Sequence, residues 1–216
     1  MRGDKSLIAD SAPANIRSAS HGTGAAQAPV SGDWVSPSIL RFTVKLLQFR
    51  PSEAGCFVVQ FSPVTQPLSP AGVVYQIAAG LMQLGGARVL VLDLNRGHTE
   101  QDFEAAVPLP IVAGFSESVT SGYTLAQPTC QPDELLRFIC SESFRLYLNS
   151  ARRRFTCILI ATAPVDLAIE PVALAPMCDG VVLVAAVDAT SVTSLSRAQQ
   201  EIRSARGNIL GFVTEE

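Results

Sequence analysis

The sequence predicts an α/β fold: a doubly wound, mainly parallel sheet with helices on both faces. Two observations lead there. Short apolar runs at residues 56–61, 88–92, 157–160, 180–187 and 209–213 lack polar alternation, as expected of strands covered on both sides. Segments of helical periodicity separate them, and strands alternating with helices imply parallel pairing through right-handed crossovers. With 216 residues, 48% of them hydrophobic and 16% charged, the chain can bury one substantial core.

Residues 1–33 are rich in Ala, Ser, Gly and Pro without a sustained hydrophobic period, which predicts a disordered tail ahead of a single domain over 34–216. Ile39, Leu40, Val44, Leu46 and Leu47 then keep a helical spacing after Pro37. The run at 56–61 follows as the first buried strand. The next helix carries Val73, Val74, Ile77, Ala78, Leu81 and Met82 on one face, with Ser69 as N-cap, Pro70 at the first helical position, and Gly85 and Gly86 as its stop. Ser141 is placed to cap a helix bearing Phe144, Tyr147, Leu148 and Ala151. That helix ends in Arg152, Arg153 and Arg154, read as a solvated cationic end. The last helix spans 190–206, with Val192, Leu195 and Ile202 inward and Gly207 as its stop.

A formal net charge of −3 lacks the basic footprint that phosphate backbones require, which argues against nucleic acid as a partner. No apolar run approaches the ~20 residues that span a bilayer, so direct membrane insertion is not expected and a cytoplasmic protein is. Cys56, Cys130, Cys140, Cys157 and Cys178 form no CxxC pair. They are read as reduced, buried thiols, with no metal site.

Residues 58–84, then RVLVLDLNR at 88–96, CILIATAPV at 157–165, LAPMCDGVVLVAAVDAT at 174–190 and ILGFV at 209–213 resemble, in order, the conserved segments of the deviant-Walker ATPases, the group of the MinD/ParA proteins and bacterial tyrosine autokinases. The likeness covers roughly 36–216 and implies the P-loop NTPase three-layer sandwich. Residues 114–144 look shorter than their family counterpart, which implies that one edge strand is absent. The family's ExxRxxR oligomerisation motif would fall on Ser38, Arg41 and Val44, where only Arg41 remains.

The ATP machinery of that family is not matched. A P-loop cradles phosphates because its glycines turn backbone N–H groups inward, its Lys neutralises the outer phosphates and its Ser or Thr holds magnesium. Here the segment after the first strand is SPVTQPLSPAG, and Pro63, Pro67 and Pro70 have no N–H to donate. The resemblance places Pro70 at the catalytic Lys, with Ala71 and Gly72 at the hydroxyl residues. No lysine follows Lys45. Ala161 falls at the Walker B aspartate, while Asp93 and Asn95 are a partial remnant of the Walker A-prime Asp-x-Asp. Asp93 reads equally as a relic of the site or as an acid that ends a strand.

The resemblance therefore implies a non-catalytic pseudo-ATPase or pseudokinase. Its expected place is beside an inner-membrane polysaccharide co-polymerase, in exopolysaccharide, capsule or holdfast-like synthesis and export. It is expected to be peripheral to the membrane through that partner, with homo-oligomers open and no cofactor. The alternatives are an active but atypical nucleotide-binding ATPase or tyrosine autokinase, using ATP and Mg at the helix N-terminus near Ala71, and a MinD/ParA-like positioning protein. A Rossmann enzyme lacks its GxGxxG, and a hydrolase triad would have to use His98.

Overall fold

The structure is a computed structural model and describes residues 15–16, 35–49, 55–66, 68–85, 87–95, 107–108, 115–120 and 122–215. Its centre is the strand β2 (Phe57–Pro63), which pairs in parallel with β7 (Cys157–Ala161) on one side and β8 (Gly180–Ala186) on the other. β3 (Val89–Asp93) extends the sheet beyond β7, and β9 (Ile209–Glu215) extends it beyond β8. β6 (Tyr123–Pro128) runs parallel to β3, followed by antiparallel β5 (Phe115–Thr120) and β4 (Val107–Pro108). At the opposite edge β1 (Asn15–Ile16) pairs with the end of β9. Among the described residues the order is β1-β9-β8-β2-β7-β3-β6-β5-β4, the doubly wound parallel α/β sheet predicted.

Alternate residues of β2 face two different cores. Phe57, Val59 and Phe61 pack under α1 (Pro37–Gln48) and α2 (Ala71–Gln83). Val58 faces α3 (Leu135–Ile139), α4 (Glu142–Arg154) and α5 (Glu170–Leu174), and a third cluster seats α6 (Val192–Ser204) on β8. Strands so covered are apolar without alternation, because both faces are dry.

Several expectations are corrected. The face of α1 is rotated from the one predicted: Ile39, Thr43 and Leu46 are buried, while Val44 and Leu47 are exposed. Thr43 tolerates burial because its hydroxyl donates to the Ile39 carbonyl at 2.8 Å. It meets α2 at Gly80, where an added Cβ would lie 3.1 Å from Thr43 Oγ1. Ser69 does not cap α2; the cap position is Pro70, without a side-chain bond. Val192, expected inward, is 82% exposed because it stands in the first turn of α6, ahead of the buried Ala198 and Ile202. Cys140 is exposed and Cys130 half-buried. Within the segment expected to be a tail, Asn15–Ile16 forms β1; the rest of 1–33 lies outside the described residues, as do Pro67, Gly86, Arg96 and His98.

The region 114–144, expected to be short of an edge strand, carries two strands of the sheet edge. β5 and β6 form a hairpin in which Thr120 pairs with Tyr123 and Gly122 takes φ 93°, a left-handed conformation that glycine adopts without strain. β5 hides from pattern reading because its inward residues are Phe115 and Glu117, while Val119 is 40% exposed. Glu117 is 1% exposed and bonded to Arg154 Nη1 and Nη2 at 3.1 and 2.8 Å and to the Tyr147 hydroxyl at 2.8 Å. Arg152 likewise binds Asp179 at 3.2 Å and the Met177 carbonyl at 3.0 Å, so two of the three arginines at the end of α4 are tied to neighbouring elements rather than free in solvent.

The stop of α6 is set by Arg206, not Gly207. Arg206 takes φ 66°, and the N–H groups of Arg206 and Gly207 donate to the carbonyls of Arg203 and Ile202 at 2.9 Å each, a Schellman termination. Gly207 is glycine for space: a Cβ there would lie 2.6 Å from Ile202 Cγ2 and 2.7 Å from Ala175 Cβ. Gly207→Val is therefore expected to cost about 2–3 kcal/mol through overpacking. An unchanged urea midpoint for this variant would show that the α6 terminus relaxes freely.

The carboxyl edge of the sheet as candidate site

In open parallel sheets ligands bind beyond the carboxyl ends of the strands, at the point where the strand order reverses. Here that point lies around β2, flanked by β7 and β8. The segment that leaves β2 begins as strand rather than as an open loop. Pro63 is still paired to Val184, the Val64 N–H donates to the Val184 carbonyl at 2.8 Å, and the Pro63 carbonyl accepts from Val165 N–H at 2.9 Å. A phosphate cradle needs consecutive amides free and turned inward. Val64 N–H is already committed, and Pro63 and Pro70 have none.

The residues picked out from the sequence come together around this edge. Pro70 and Ala71 are buried at the start of α2 and Gly72 is half-buried. Ala161, at the end of β7, is fully buried and pairs with Phe61 on one side and Asp93 on the other. Asp93 is 2% exposed. One of its oxygens accepts from the Tyr75 hydroxyl at 2.8 Å and the other from Asn95 N–H at 3.0 Å. Asn95 Nδ2 in turn donates to Ser69 Oγ at 3.0 Å. In this arrangement Asp93 and Asn95 fasten the start of α2 to the end of β3. Arg41 sits apart from this edge, exposed on α1.

A second polar network went unread in the sequence. Gln60 Nε2 donates to Ser62 Oγ and to the Pro171 carbonyl, both at 2.8 Å, and Ser62 Oγ lies 2.8 Å from Thr162 Oγ1. All three side chains are fully buried, so each bond satisfies a group that would otherwise be costly to desolvate. The available signal was the pair of polar residues at alternate positions of an otherwise apolar strand, Gln60 and Ser62, both facing α5.

The charged residues in the described part of the edge are acidic. The described segments that leave the carboxyl ends of the parallel strands are 64–66, 68–70, 94–95, 129–134, 162–169 and 187–191. They contain no Lys, Arg or His, but do contain Asp133, Glu134, Asp166 and Asp188. Among the described residues no cluster of His, Cys, Asp and Glu is placed to hold a metal ion. Tyr75, Tyr123 and Tyr147, the three tyrosines of the chain, are each at most 2% exposed. Tyr123 stacks on Tyr75 with ring centroids 6.3 Å apart, and burial pushes the Tyr123 and Tyr147 hydroxyls well above the usual phenol range.

These features define a three-layer α/β protein with the P-loop NTPase type of fold, whose candidate site is the carboxyl edge around β2. Among solved structures the chain is similar to the kinase domain of Escherichia coli tyrosine kinase ETK, with TM-score 0.70, 17% identity, and coverage of 82% of this chain and 73% of that one. It is similar to the BceF tyrosine kinase domain at TM-score 0.63 and 16% identity, covering 82% and 74% of the two chains. The apo McdA of Cyanthece follows at TM-score 0.57 and 14% identity, covering 74% and 72%. The fold is thus that of these tyrosine-kinase domains and of McdA. No protein-family model matches the chain, and no curated protein does. No helix among the described residues is long and apolar enough to cross a membrane.

Proposed function

We propose that this chain is a non-catalytic pseudo-ATPase or pseudokinase. It would act in the cytoplasm as the partner of an inner-membrane polysaccharide co-polymerase, supporting exopolysaccharide, capsule or holdfast-like synthesis and export. The observation that carries the reading is the absence of positive charge among the described carboxyl-edge segments. A nucleoside triphosphate brings several negative charges, and its binding depends on cationic side chains or a metal set among free amides. Described segments that offer Asp166, Asp188 and prolines supply it no countercharge. The resemblance of residues 114–121 and 174–190 to autokinase segments supports the kinase-like branch over a MinD/ParA-like positioning protein. With all three tyrosines buried, the folded domain also presents none of them for phosphorylation.

Titration calorimetry with ATP and magnesium is expected to give no binding heat up to millimolar nucleotide, where a functional site binds in the micromolar range or tighter. Micromolar binding would instead establish the atypical ATPase or kinase. For the partner, pull-down from detergent-solubilised membranes is expected to recover an inner-membrane chain-length protein. Recovery of soluble proteins alone would count against the polysaccharide setting.

A further inference from the structure

The loops after β7 and β8 are held together at the carboxyl edge. Val165 is buried against Val64, Ala185 and Ala198, and Thr65 Oγ1 lies 3.4 Å from Thr190 Oγ1. On the loops after β7 and β8 and the first turn of α6, four large apolar side chains are exposed: Leu167 at 57%, Ile169 at 59%, Val187 at 49% and Val192 at 82%. Ile169 also lines an open cleft of about 640 Å³ between α5 and α6. Asp166 and Asp188, next to them in the chain, are exposed, and the cleft's one cation, Arg197, is engaged with Glu201 at 3.0 Å.

An apolar centre whose unpaired neighbouring charges, Asp166 and Asp188, are acidic is the pattern of a protein-docking surface. The apolar residues supply desolvation energy, and the charges set partner choice and steer the encounter. The sign of the charge narrows the occupant. Anionic lipid headgroups and nucleic acid are repelled, and a second copy would set like charges against each other.

We infer that the edge formed by Leu167, Ile169, Val187 and Val192 between Asp166 and Asp188 docks a basic segment of a partner protein, in which two or more large apolar side chains are flanked by Lys or Arg. This deepens the function proposed above, on which it rests for the existence of a protein partner, by stating where that partner binds and what its binding segment is made of.

The test is selection of short random peptides displayed on phage against the intact chain, followed by anisotropy titration of the enriched sequences as synthetic peptides. Enriched peptides are expected to combine Lys or Arg with large apolar residues. They should weaken about ten-fold or more on Leu167→Ser/Ile169→Ser and on Asp166→Lys/Asp188→Lys, and weaken further as salt is raised. All four positions are exposed, so both variants should fold, and their unfolding midpoints check this. Enrichment of acidic or uncharged peptides, equal binding by both variants, or no enrichment would overturn the inference. So would a dimer of the parent chain, seen by sedimentation, that the same substitutions dissolve. ATP calorimetry on the same proteins separates the two proposals: nucleotide binding with intact peptide selectivity sinks the pseudo-ATPase reading alone, whereas rim-independent peptide binding without nucleotide binding sinks the docking site alone.

Discussion

Ala161→Asp, which writes a Walker B aspartate back into β7, is expected to destabilise the protein by about 3–5 kcal/mol, the usual penalty of an uncompensated buried charge, and to create no magnesium site. Ala161 is fully buried and is the parallel-sheet partner of Asp93. Paired residues on neighbouring parallel strands project to the same face, and adjacent strands are only ~4.8 Å apart. Asp93 already has both oxygens occupied by the Tyr75 hydroxyl and Asn95 N–H, and Lys45 on α1 is the last lysine of the chain. A second carboxylate would enter a dry site beside one whose two oxygens are already engaged, and one of the pair would have to protonate to persist. Urea unfolding at neutral pH reads the loss, and calorimetry with magnesium reads the absent site. A variant as stable as the parent that bound magnesium would mean the edge retains a working metal pocket.

Arg154→Ala is expected to cost about 2–3 kcal/mol and to reverse the sign of the acid-limb pH dependence. Breaking a buried pair from one side typically costs 3–5 kcal/mol, and the figure is reduced here because the arginine side chain is 42% exposed and partly screened. Burial by itself drives the Glu117 carboxyl upward. Hydrogen bonds from Arg154 and Tyr147, with the guanidinium charge, outweigh burial and hold it below its ordinary value of 4.5. In the parent the unfolded state therefore binds more protons across this range. The pair's contribution is complete above about pH 4.5 and is lost as pH falls through the lower folded value. Without Arg154 the largest remaining influence is burial, so the folded carboxyl rises above the unfolded one. Stability from this group is then present at low pH and lost as pH rises through the folded value. Denaturant midpoints across the acid range for both proteins test this, and parallel curves would remove Glu117 from the account.

Much of the architecture could be read from local signals. β2, β3, β7, β8 and β9 lie within two residues of the apolar runs that predicted them, because strands covered on both faces need uninterrupted hydrophobicity and little else. The α4 and α6 helices carry the Ser141 and Ser191 caps that local chemistry favours. The β5–β6 hairpin did not show, since its inward residue Glu117 is tolerated only through partners 30 and 37 positions away. The rotation of α1 was equally invisible: Thr43 is inward because Gly80, on another helix, leaves room for it.

The candidate site divides along the same line. That the turn after β2 lacks lysine and is stiffened by proline belongs to the sequence alone, because these are properties of residue type and immediate neighbours. What Asp93 does was open in the sequence, and the structure gives it a fastening role through Tyr75 and Asn95. The acidic, apolar rim likewise exists only once the loops after β7 and β8 are brought beside the one after β2. Hydrophobic period and turn chemistry act over a few residues, whereas the partner of a buried carboxylate and the sign of a surface depend on segments far apart in the chain that only the closed sheet places together.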